Sequence, residues 1–139
     1  MDINSLDRFI EAQEKAYPVA LKEIKNGKKR SHWMWYIFPQ LRELGQSAKA
    51  RAYGIKDLAE ARAYLEHPVL RERLYEITRE LLNHKDKTAY QIFDVIDDMK
   101  LKSCMTLFKV ASNEDPLFHE VLEVFFDGEM DRLTMKFLR

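Results

Sequence analysis

Cysteine occurs once, at Cys104, so the chain forms no internal disulfide. Glycine and proline occur four times each, which leaves no Gly-rich phosphate loop, linker or low-complexity tract. Neither sign of charge is in excess: 23 Lys and Arg balance 23 Asp and Glu. That balance argues against a duplex-DNA binder, which carries a basic surplus. No apolar run approaches the roughly 18 residues of a membrane span. The first residues, Met1-Asp2-Ile3-Asn4, lack the pattern of a secretory leader, so a cytoplasmic protein is expected. His32, His67, His84 and His119 show no metal-ligand spacing, and His119-Glu120 lacks the second His of a zinc helix. Neither a metal nor a nucleotide cofactor held by a standard motif is expected.

The 139 residues are 46% hydrophobic and 33% charged, enough to build a core in a single folded domain, residues 1–139. Leu6, Phe9, Ile10, Gln13, Tyr17, Leu21 and Ile24 recur at steps of three and four, one face of a helix that Asn4 or Ser5 would cap. Pro18 falls inside this pattern and predicts a kink, or two helices with a tight joint, before Asn26-Gly27 ends the segment. Pro39 allows only a short helical turn at 32–38, and 41–55 reads mostly as loop with a turn over 47–52. Further on, Asp57-Leu58-Ala59-Glu60, His67-Pro68, Thr88-Ala89-Tyr90-Gln91 and Asp115-Pro116 are helix starts. Leu70, Leu74, Ile77 and Leu81 form one apolar stripe, and Leu101, Met105 and Phe108 another, with Cys104 a small core residue beside it. A last short helix starts at Asp131. Val121–Phe126 is rich in β-formers, but the caps around it and the lack of a second strand favour helix. The expectation is an all-α, compact multi-helical domain of roughly seven helices, the first kinked at Pro18.

Two clusters carry candidate chemistry. In the first, Lys25, Lys28, Lys29 and Arg30 precede His32, Trp33, Trp35, Tyr36, Phe38 and Gln40. Cations beside aromatic faces suit a phosphorylated, ring-bearing ligand, with His32 as phosphate donor or acid–base group. The competing reading makes Trp33, Tyr36 and Phe38 core anchors and the cations a solvated helix end. In the second, Asp94, Asp97 and Asp98 are close enough in sequence to hold Mg²⁺ or ligand hydroxyls, or to stabilise a cationic transition state. Equally, Asp97 or Asp98 caps the next helix. Lys100, Ser103 and Thr106 follow on one helical face, toward a ligand, toward water, or bonded back to the preceding turn.

The blocks 29–40 (Lys-Arg-Ser-His-Trp-Met-Trp-Tyr-Ile-Phe-Pro-Gln), Leu44-Gly45-Gln46-Ser47, Ala63-Tyr64-Leu65-Glu66-His67-Pro68 and 98–108 closely resemble a bacterial domain-of-unknown-function family, some of whose members are mislabelled calpastatin. The resemblance spans nearly the whole chain and implies a compact multi-helical domain with no established activity. Members commonly carry a glycine in the stretch occupied here by 93–96, which has none. A weaker likeness runs to small helical bacterial proteins that process NAD- and ADP-ribose-type ligands. Like them, this chain sets His32, Trp33, Tyr36 and Gln40 early, but it has Ser31 where they carry an acidic residue.

The leading expectation is therefore a pocket for an anionic, nucleotide- or ADP-ribose-like small molecule. Lys29, Arg30, Trp33, Trp35, Tyr36, Gln40, Lys100 and Ser103 would bind it, and His32, Asp97 and Asp98 would act in any hydrolysis. Two alternatives stand beside it: a non-catalytic interaction module using exposed Trp35 and Tyr36, and single-stranded nucleic acid running along 25–36. The oligomeric state is left open.

Overall fold

The computed structural model describes residues 5–138; Asn4 and the polar start of the chain lie outside the described residues. Among those described, nine α-helices form: α1 (Asp7–Lys25), α2 (Met34–Ile37), α3 (Ala48–Tyr53), α4 (Leu58–Glu66), α5 (Pro68–Leu81), α6 (Ala89–Phe93), α7 (Asp97–Ala111), α8 (Pro116–Phe126) and α9 (Arg132–Phe137). The expected seven undercounts them because α2 and α3, anticipated as isolated turns, are helices in their own right. The segment 41–55 is correspondingly less of a loop than expected, with a 3-10 turn at Arg42–Leu44 ahead of α3. No strand forms among the described residues; Leu41 and Ile55 meet in one isolated parallel bridge.

The helix starts follow side-chain chemistry. Ser47, Asp57, His67, Asp115 and Asp131 each accept a backbone N–H of the first turn that follows, at 2.9–3.2 Å. Thr88 and Gln91 form a reciprocal capping box. Ser5 Oγ accepts from the Asp7 N–H at 3.1 Å, although Leu6 is the geometric cap of α1. Pro18 lies inside α1, which is one helix rather than two.

Helix α7 is central: α4, α6, α8 and α9 all pack on it, while α1 lies along α5 and touches α2. The core joins Phe9, Trp33, Phe38, Tyr64, Phe93, Phe108 and Phe118, several in edge contact, such as Phe9 with Tyr64 at 5.2 Å between ring centres. Arg8, on the inner side of α1, is buried against Glu60 of α4 at 2.9 Å. No helix among the described residues is long and apolar enough to cross a membrane.

Candidate functional site

The segment between α1 and α2 is shaped by one carboxylate. Glu23, on the last turns of α1, accepts from the backbone N–H groups of Arg30 (2.8 Å) and Ser31 (3.0 Å), from Ser31 Oγ (2.6 Å) and from the Trp33 indole N–H (2.9 Å). Burial pushes this carboxyl up, but the bonds from Ser31, Arg30 and Trp33 outweigh it and hold its pKa at about 2. From the far side, the Lys29 N–H donates to the Ile92 carbonyl at 2.8 Å, tying the segment to α6. So fixed, the segment sends Lys29 toward the start of α7.

There the lysines meet Asp97. Lys29 Nζ lies 2.9 Å from Asp97 Oδ2 and Lys100 Nζ 3.4 Å from Oδ1. Only 7% of the Lys29 side chain is exposed. Ile96, not an aspartate, is the cap position of α7, and no side chain caps it. The capping role expected of Asp97 or Asp98 is therefore not taken: Asp97 sits inside the first turn with its carboxylate turned to the lysines. Asp98 Oδ1 accepts its neighbour's N–H, that of Met99, at 2.8 Å, and Asp94 pairs with Lys28 at 3.2 Å. The three carboxylates thus diverge. Among the described residues no group of three or more His, Cys, Asp and Glu is placed to hold a metal ion.

Lys29, Asp97 and Lys100 form one wall of a cleft of about 370 Å³. His32, Met34, Trp35, Ser47, Ala48 and Lys49 complete it. Three lysines line it with one carboxylate, a surplus of positive charge in a concave space that concentrates the field, and Lys29 Nζ also donates to the Ser31 carbonyl. Lys100 lies 5.5 Å from the centre of the Trp35 ring and Lys49 5.9 Å from that of Tyr36. The His32 carbonyl accepts from Tyr36 Oη (2.9 Å) and Lys49 Nζ (3.3 Å), which locks the backbone and leaves the imidazole exposed. Trp35 is held from behind by Gly45: a Cβ there would lie 2.6 Å from the indole.

Of the residues anticipated from sequence, the cleft brings together Lys29, His32, Trp35, Asp97 and Lys100. The others lie elsewhere. Trp33 is a core residue, 2% exposed, over which Lys29 lies at 4.9 Å. Arg30 is exposed, and neither it nor Tyr36 and Asp98 is among the lining residues. Gln40 and Ser103 line a separate groove on the other side of Lys100. Ser103 Oγ donates back to the Met99 carbonyl at 3.2 Å and Thr106 Oγ1 to that of Lys102 at 2.8 Å, the local use weighed for this stripe. Sequence reasoning missed Lys49, whose only signal was its place two residues beyond the cap Ser47. It also missed Glu23, which reads as an ordinary charge near a helix end.

A family model described as "Protein of unknown function (DUF1810)" matches residues 3–138. A crystal structure at 1.38 Å of the conserved hypothetical protein Rv1873 from Mycobacterium tuberculosis is similar, with 42% sequence identity and a TM-score of 0.95. The match covers 99% of this chain and 98% of that one. No curated protein matches.

Proposed function

We propose, for a chain that belongs to the DUF1810 family of proteins of unknown function, that the cleft binds an anionic, phosphate-bearing small molecule of nucleotide or ADP-ribose type. The observation that carries this reading is the convergence of Lys29, Lys49 and Lys100 on one concave space with only Asp97 to offset them. Asp97 acts as a brace: its two oxygens hold Lys29 and Lys100 apart and in place, and their remaining N–H donors serve the ligand. Lys49 closes the opposite side and His32 adds a donor at the rim. In a hydrolytic version of this reading His32 is the proton donor to a leaving group and Asp97 the group that orients water.

The interaction-module reading needs Trp35 and Tyr36 at the surface. Trp35 is 5% exposed and Tyr36 half-buried, so the flat aromatic patch it calls for is not formed there. Both tryptophans are buried, so neither offers a single strand along 25–36 an open stacking face.

Because Trp35 lines the cleft while Trp33 is fixed in the core by its bond to Glu23, a ligand-dependent change in the indole emission of the unaltered chain reports on the cleft through Trp35. Titration with pyrophosphate, ADP-ribose, NAD and mononucleotides is expected to give a saturable change. Lys100→Ala and His32→Ala are expected to weaken it, about tenfold for the lysine. A flat response to every ligand overturns the reading.

A further inference from the structure

The first turns of α7 divide two concavities. Asp97 and Lys100 face the basic cleft, while Ile96, Met99 and Ser103 face a groove of about 410 Å³ that Lys100 also lines. The groove is walled by Leu44, Val95, Ile96, Met99 and Leu133, and all but Leu44 of these are exposed apolar side chains. Gln40, only 3% exposed, lines it too, and its Nε2 has no hydrogen-bond partner. A buried amide donor left unpaired beside an apolar groove is a group awaiting an acceptor.

From this arrangement we infer that the cleft and the groove are two halves of one site, joined at Lys100. Its ligand is a phosphorylated molecule whose apolar body carries a carbonyl oxygen. The phosphate sits among Lys29, Lys49 and Lys100. The body crosses Lys100 into the groove, the aliphatic walls cover it, and its carbonyl accepts from Gln40 Nε2. The inference rests on the phosphate-binding reading of the cleft and adds what lies beyond the phosphate. Two sources share this chemistry: a nucleoside phosphate whose base bears a carbonyl, and a short acyl chain esterified to a phosphorylated alcohol.

The test is calorimetric titration of the full chain with inorganic phosphate, UMP and hexanoyl glycerol phosphate. Wild type is compared with Gln40→Met and Leu133→Ser. Phosphate is expected to bind all three proteins alike. At least one of the larger ligands is expected to bind wild type about tenfold more tightly than phosphate, and to lose most of that advantage in both variants. Whichever ligand shows the advantage identifies the ring or the chain as the body. Gln40→Met removes a donor that has no partner, so the variant is expected to fold with undiminished stability. If phosphate binds but neither larger ligand gains over it, or the gain survives both substitutions, the joined site is overturned and the cleft reading stands. If none of the three binds, the cleft reading falls and takes this inference with it.

Discussion

Glu23 shows how much one side chain can organise. Four donors from Arg30, Ser31 and Trp33 converge on it, and the segment they hold carries both Lys29 and His32 to the cleft. Its carboxyl is held below the ordinary value of 4.5, at about 2. A carboxyl depressed in the folded state contributes its stability in full at pH values above the unfolded value, and the contribution fades as the pH falls from about 4.5 toward 2. Urea denaturation is therefore expected to find Glu23→Gln less stable than wild type at neutral pH. The gap should narrow steadily across that acid window. A gap that is unchanged from neutral pH down to about pH 2 contradicts the assignment. None of this was visible beforehand, because a glutamate near the basic end of a helix has the same sequence signature whether it is solvated or holds a loop. Asp97 is the complementary case. Its place before an apolar-periodic run suggested a cap, and only the approach of Lys29 from a segment almost 70 positions away in the chain shows its use.

At the scale of elements, the start of α7 stands out. Asp94 has φ 63° with ψ 177°, and Ile96, β-branched, has φ 78° with ψ −60°, both within the region that favours glycine. Ile96 is exposed, so its removal gives up little burial. Ile96→Gly is expected to stabilise the protein by about 1 kcal/mol, the relieved strain outweighing the entropy of the extra glycine. A lower denaturation midpoint contradicts this. The turn before α3 makes the opposite case. A Cβ at Gly45 would meet the Trp35 ring at 2.6 Å and the Ala50 Cβ at 2.8 Å. Gly45→Ala should therefore cost about 1–3 kcal/mol through overpacking. It should also shift the indole emission through Trp35; an unchanged spectrum and midpoint would show that the ring has room to yield. Helix starts were the most legible elements, since Asp57, His67, Thr88, Asp115 and Asp131 state them in local chemistry. The segment 41–55 was the least legible. Its order comes from the Leu41–Ile55 bridge and from Gly45 packing on Trp35, contacts that no local period records.

Across the whole molecule, the all-helical architecture was legible because apolar residues at three- and four-residue steps are the positions that the helices bury in the common core. The site was legible in part. Residues 25–40 and 94–106 were singled out for their composition, and of these the fold brings Lys29, His32, Trp35, Asp97 and Lys100 to one cleft. Trp33 went to the core, since aromatic residues serve a core and a binding site equally well. Gln40 and Ser103 went to the groove beyond Lys100: Gln40 lies past the end of α2, where no helical period places it, and for Ser103 helical spacing fixes a face but not which of two concavities it borders.

Both proposals depend on phosphate binding in this cleft, and amide-resolved NMR of the full chain titrated with pyrophosphate tests for it. Saturable shifts are expected, concentrated at 29–35, 47–49 and 97–100 and lost in Lys100→Ala. Shifts centred on another face, or none at millimolar pyrophosphate, would contradict it.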